Sequence, residues 1–137
     1  MIQAEIKTKI EFSEPVFSNL IICALEGGSN YWYWLPSAEV EKINAYYKHV
    51  HPTSEREPLA SKLAQTLFHT DICITITDLE SPDDVLGHID GKRCINALVK
   101  MYEDYHEHYL DAINGNDDAV TADIFFQLAV LGNVTFG

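Results

Sequence analysis

Apolar and polar residues alternate through the first dozen positions, with Ile2, Ala4, Ile6, Thr8, Ile10 and Phe12 set against Gln3, Glu5, Lys7, Lys9 and Glu11. A period of two with one polar face predicts a half-solvated strand over residues 2–12. The period then changes. Val16, Phe17, Leu20, Ile21, Ala24 and Leu25 recur at helical spacing, after Ser13 as cap and Glu14-Pro15 in the first turn. Gly27 or Gly28 is the expected left-handed terminator of that helix. Ser29 to Leu35 reads as extended, which puts Tyr31 and Tyr33 on one face and Trp32 and Trp34 on the other. After Pro36, Ser37 reads as the cap of a short helix reaching about Tyr47, with acids in its first turn.

From Lys48 to Glu57 the chain turns polar between prolines and reads as a loop. Pro58 to Phe68 suits an amphipathic helix carrying Leu59, Leu63, Leu67 and Phe68. Asp71 to Glu80 is the second strand, with Ile72, Ile74 and Ile76 alternating with Cys73, Thr75 and Thr77. Ser81 to Asp84 is turn chemistry, and Val85 to Ile89 a short edge strand. Asp90 caps a long helix over 91–113 whose expected stripe is Ile95, Leu98, Val99, Tyr102, Tyr109, Leu110 and Ile113. Asn114-Gly115-Asn116 ends it. Asp117 or Asp118 opens a last helix to Leu131, which Gly132 closes, and Val134-Thr135-Phe136 follows as a short strand or a docked tail. The fold class this spells is α+β, a single domain over 1–137 in which a small antiparallel or mixed sheet of two to four strands packs against about four helices.

Charge narrows the possible partners. Nine Lys and Arg against 21 Asp and Glu leave a net charge of −12. A basic grip on nucleic-acid phosphates is not expected, nor is binding to an anionic membrane. Acids gathered on one face would imitate a phosphate array for a basic partner, whereas evenly spread acids serve solubility. No apolar run is long enough to span a bilayer, and Met1 to Lys7 lacks the layout of a signal peptide, so a cytoplasmic setting is expected. Cys23, Cys73 and Cys94 are widely spaced in apolar surroundings and read as buried thiols, with no disulfide framework or metal knuckle.

Few residues have the spacing that chemistry needs. His106 and His108 lie two apart on a predicted helix and diverge, whereas His49 and His51 would converge only if extended, with Glu55 and Glu57 nearby. Glu26 and Asp123 flank apolar runs and could meet as an acid pair or a hard-cation site, although the regular oxygen-ligand spacing of a calcium loop is missing. Gly27-Gly28-Ser29-Asn30 follows a helix, not a strand, and lacks the lysine of a phosphate cradle. No nucleophile–base arrangement is visible, and no cofactor or metal is expected. The aromatic run remains. Rings in an extended segment cannot all face one core, so Tyr31, Trp32, Tyr33 and Trp34 are the candidate binding surface.

Two segments carry a family resemblance. Ala24-Leu25-Glu26-Gly27-Gly28-Ser29-Asn30-Tyr31-Trp32 resembles the ALEGG-x-NYW segment of small phage and prophage proteins, and Asp118 to Gly132 resembles their ending, in which an Asp-Ala, a later Ala-Asp and a Gln precede a Gly. Val130-Leu131 stands where those proteins more often have Leu-Phe, and residues 36–90 depart from them in length and composition. The resemblance implies a gene of a bacteriophage or integrated element acting in the bacterial cytoplasm, and it supplies no catalytic residues. The apolar stripes of the two segments are expected to pack together, with Glu26, Asn30, Asp123 and Gln127 as polar groups along the seam. The expected function is non-enzymatic: binding of a protein partner or self-association, with a host defence among the candidate targets. The alternatives are a nucleotide-signal sequestering protein, with rings stacked on a base and Lys92 and Arg93 on its phosphates, and a metal-dependent hydrolase using Glu26 and Asp123.

Overall fold

The computed structural model describes residues 1–5, 7, 9–53, 56–116 and 118–137. Pairing in a strand requires a neighbour as well as an alternating pattern, and the expected strand over 2–12 finds none: its described residues join no ladder, and Ile6 and Thr8 lie outside the described residues. Packing there is through Phe12, edge-on to Phe17 at 5.3 Å and to Phe125 at 5.7 Å. Helix α1 spans Glu14–Cys23, with the Ser13 hydroxyl accepting from the Val16 amide. The helix does not stop at a left-handed glycine. It widens into a π-turn over Ala24–Gly28, and neither Gly27 nor Gly28 has a positive φ.

The chain next forms β1, Tyr33–Trp34, then α2, Ser37–Val50, in which Pro36 occupies the cap position and Ser37 is already helical. Residues 51–53, 56 and 57 are irregular, Ser54 and Glu55 lie outside the described residues, and α3 follows over Leu59–His69. Strands β2, Ile74–Asp78, and β3, Val85–Ile89, form a hairpin. The helix expected over 91–113 is two helices, α4 Gly91–Asp104 and α5 His106–Ile113, broken at Tyr105 (φ −135°, ψ 50°). The break resets the helical phase. Past it Leu110, placed inside by an unbroken stripe, is 44% exposed; on α4 itself the buried face is Cys94, Ala97, Leu98 and Met101, which leaves Ile95, also expected inside, 44% exposed. Helix α6, Ala119–Leu131, is capped by Asp118, whose carboxylate accepts from the Thr121 amide, and ends at Gly132 in the left-handed region (φ 81°). Asp117, the other proposed cap, lies outside the described residues.

The architecture is α+β, with six α-helices and a three-stranded antiparallel sheet among the described residues. Strand β2 is central, with Tyr33 opposite Asp78 and Ile76 opposite Gly87, and a bulge follows Ile76. The inner face carries Tyr33, Ile74, Ile76 and Ile89 against α6, and the outer face carries Trp34, Thr75 and His88. Cys73 precedes β2 on the outer side and is exposed, which corrects its placement among the buried thiols; Cys94 is buried and Cys23 half-buried. Helix α6 is the axis of the fold. It packs on α1, the π-turn, α4, α5 and β3, and nine of its residues are buried. A helix apolar almost all round can be stable only when surrounded in this way.

Candidate functional site

The one acid inside the α6 run organises its surroundings. Asp123 lies a turn past the start of α6 and is 9% exposed. On the facing wall, the π-turn closes with the Ser29 amide on the Ala24 carbonyl at 2.8 Å, and the Trp32 amide then donates to the Ser29 carbonyl at 3.1 Å. Residues 29–32 are therefore a turn and not an extended segment. Tyr31 and Trp32 do not alternate between faces; both turn toward α6.

Four donors converge on the carboxylate. Asp123 Oδ1 accepts from Ser29 Oγ at 2.7 Å and Trp32 Nε1 at 2.8 Å, while Oδ2 accepts from Tyr31 OH at 2.6 Å and Gln127 Nε2 at 3.0 Å. Among the described residues no cation takes part. A buried carboxylate is tolerated where fixed dipoles replace its water, and four short charge-assisted bonds fill the positions two oxygens offer. The Tyr31 phenol feels this anion: loss of water, the hydrogen bond to Asp123 and the carboxylate charge together push its pKa up to about 12. Burial, and then the charge of Glu26, raise the Tyr33 phenol as well. Tyr33 OH donates to the Leu25 carbonyl at 2.9 Å, and its ring meets Phe126 edge-on at 5.6 Å.

Gln127, one turn further along α6, carries the network to the segment that follows that helix. Its Oε1 accepts from the Thr135 and Phe136 amides, both at 2.8 Å, and its Nε2 lies 3.2 Å from the Phe136 carbonyl. The Phe136 ring stacks on Trp32 with centroids 5.3 Å apart and planes 21° off parallel. Beside this cluster opens a cleft of about 490 Å³ walled by Gly27, Gly28, Tyr31, Val120, Asp123 and Phe136 among others. Gly28 permits the approach of the two walls, since a Cβ there would stand 2.4 Å from the Ala119 carbonyl oxygen.

Of the four expected surface rings, Tyr31 and Trp34 are 45% and 46% exposed, Tyr33 is half-buried, and Trp32 at 3% is core. Along the expected seam, Asp123 and Gln127 are buried at its centre, whereas Glu26 and Asn30 point to solvent; Ser29, Tyr31 and Trp32 supply the groups on that side. Glu26 is exposed on the π-turn and Asp123 has its acceptor positions filled, so the two do not form an acid pair. Lys92 and Arg93 are not at the aromatic segment. Arg93 is held by its own helix cap, Nη1 to Asp90 Oδ2 at 2.6 Å, and Lys92 edges a separate cleft of about 750 Å³ that also includes Phe12, Phe17, Phe68 and Ile95. His51 bonds Gln65, His106 bonds the Tyr102 carbonyl and His108 bonds Thr121. Among the described residues no group of three or more His, Cys, Asp or Glu is placed to hold a metal ion. Val134-Thr135-Phe136 is docked and forms no strand, as one of the two sequence readings had it, but its seat on Gln127 and Trp32 and the role of Ser29 escaped that reading, because a π-turn and a side chain that grips backbone leave no periodic trace.

No helix among the described residues is long and apolar enough to cross a membrane. No protein family, curated protein or solved structure matches the chain. Segments 24–32 and 118–132 are the two sides of this one hydrogen-bonded site.

Proposed function

We propose that the chain is a non-enzymatic accessory protein of the phage or prophage kind, acting in the bacterial cytoplasm by gripping a protein partner or a second copy of itself. The observation that carries this reading is the way Tyr31 is held. Its ring stands 45% exposed while its hydroxyl is fastened to a buried carboxylate at 2.6 Å. An exposed aromatic already fixed in place loses little rotamer freedom on binding, which is what an interface anchor requires. Trp34, two residues past core Trp32, presents a second exposed ring from the sheet edge. The saturated Asp123 argues against the hydrolase alternative, because a carboxylate with four donors has no acceptor position left for a water or a metal.

A nucleotide-signal binder is the second reading, favoured by the cleft beside Tyr31. The residues lining that cleft include no Lys or Arg, so an uncharged ring would suit it better than a phosphate. The test is capture from a bacterial lysate with the wild type and with Tyr31→Ser/Trp34→Ser, together with sedimentation of the purified chain. The proposal expects a discrete partner or a dimer that the double variant loses while its circular dichroism is unchanged. Equal behaviour of the two chains would remove it, and saturable binding of a nucleotide by the wild type would favour the second reading.

A further inference from the structure

The segment after α6 is attached in an unusual way. Gly132 and Asn133 form an exposed joint, and beyond them the backbone forms no helix or strand. Its amides at Thr135 and Phe136 both donate to one side-chain oxygen, Gln127 Oε1. These are main-chain contacts from two successive amides to one acceptor, so they recognise a local bend of the backbone, in which neighbouring N–H groups point the same way, and not a sequence. What adds selectivity is the Phe136 ring on the face of Trp32. The receiving groups are also held from the protein side. Gln127 is 1% exposed and its Nε2 is tied to Asp123 Oδ2, which aims Oε1 outward, and Trp32 is fixed by Oδ1 of the same carboxylate.

We propose that this seat is a recognition site for a short bent segment of a partner protein that presents an aromatic residue, with residues 133–137 as the resident occupant that such a segment displaces. Lifting the occupant uncovers a buried amide oxygen, which accepts two successive backbone N–H groups, and one tryptophan face. That combination recognises a bent peptide bearing a ring, whose neighbouring amides converge on one acceptor. The proposal does not rest on the exposed faces of Tyr31 and Trp34, and either can fail without the other.

The probe is a fluorescein-labelled pentapeptide of the sequence of residues 133–137, titrated against the full chain and read by anisotropy. Self-occupancy reduces apparent affinity by the open fraction. Phe136→Ala in the full chain should therefore bind the peptide at least about tenfold more tightly than the wild type does. Alanine in place of the peptide's phenylalanine, or Gln127→Leu added to Phe136→Ala, should abolish that gain. A folded Phe136→Ala chain that binds no more tightly than wild type overturns the proposal. Should that variant fail to fold, amide exchange on the wild type decides. The Thr135 and Phe136 amides should exchange at least about a hundredfold faster than those of Phe126 and Gln127, as local opening requires, and equal protection means the segment leaves only when the whole domain unfolds.

Discussion

At the scale of single residues the decisive group is Asp123, and its partners determine what each substitution should do. Trp32 Nε1 is an obligatory donor, so in Asp123→Asn the remaining carbonyl must stay toward Trp32 and Ser29. The new NH₂ then faces Tyr31 OH, which can turn to accept, and Gln127 Nε2, which cannot, because Gln127 Oε1 is committed to Thr135 and Phe136. One donor–donor clash should cost about 1–3 kcal/mol, and Asp123→Ala, which strands several buried donors, about 3–5 kcal/mol. Urea unfolding measures both, and a loss below about 0.5 kcal/mol for Asp123→Ala would mean that the carboxylate holds nothing together. Tyr31 adds a pH dependence. Its folded pKa, pushed up to about 12, lies above the ordinary value of 10.0, so the folded state keeps a proton that the unfolded state gives up. This contribution is complete below about pH 10 and is lost as pH rises toward 12. The ring is 45% exposed, so water screens the effect below what the displacement alone suggests. Stability of the wild type should fall between pH 10 and 12 more steeply than that of Tyr31→Phe, and parallel curves would show that the phenol is not the titrating group.

At the scale of elements, the two glycines that close α1 separate two explanations of why they are there. If they were terminators, both would resist a side chain equally. The structure predicts otherwise: Gly27→Ala meets nothing within 4 Å, whereas a Cβ at Gly28 stands 2.4 Å from the backbone of α6. Gly28→Ala should destabilise by about 1–3 kcal/mol or more, and Gly27→Ala should be neutral or stabilise by up to about 1 kcal/mol. Gly87→Ala belongs with Gly28, since its Cβ would lie 2.2 Å from the Val130 carbonyl oxygen where β3 crosses α6. Equal losses at positions 27 and 28 would restore the terminator reading. These cases also show what the sequence made legible. Elements governed by a local signal were readable: the Ser13, Asp90 and Asp118 caps, the β-branched run of β2 and the Gly132 stop. What depends on distant packing was not. The described residues of the 2–12 alternation join no partner strand, the break at Tyr105 has no Pro or Gly to announce it, and the π-turn shows itself only where Ser29 must reach Asp123. Asp123 and Gln127 were legible as polar interruptions of an apolar run, but their partner Ser29 was hidden by reading a turn as a strand.

For the whole molecule the governing quantity is a net charge of −12 on 137 residues. Ion pairs such as Lys42–Glu39 at 3.0 Å and Arg93–Asp90 at 2.6 Å engage few of the 21 acids, and partly exposed pairs contribute little. Self-repulsion among the remaining acids should therefore dominate the response to salt. Raising ionic strength from about 0.01 M to about 0.15 M shortens the screening length from roughly 30 Å to roughly 8 Å, and the unfolding midpoint should rise by about 3–5 °C if this relieves about 1 kcal/mol. The same titration separates the two forms of the binding reading, because the sign of the effect differs between them. Two acidic copies repel each other, so salt should strengthen self-association, with a dimer seen by sedimentation at 0.15 M dissociating as salt is removed. A basic partner is drawn by the same charge, so salt should weaken that complex and slow its formation over the same range. Sedimentation and association rates at three ionic strengths then distinguish a homodimer from a complex with a cationic protein, and a complex indifferent to salt would assign recognition to the rings and not to the acids.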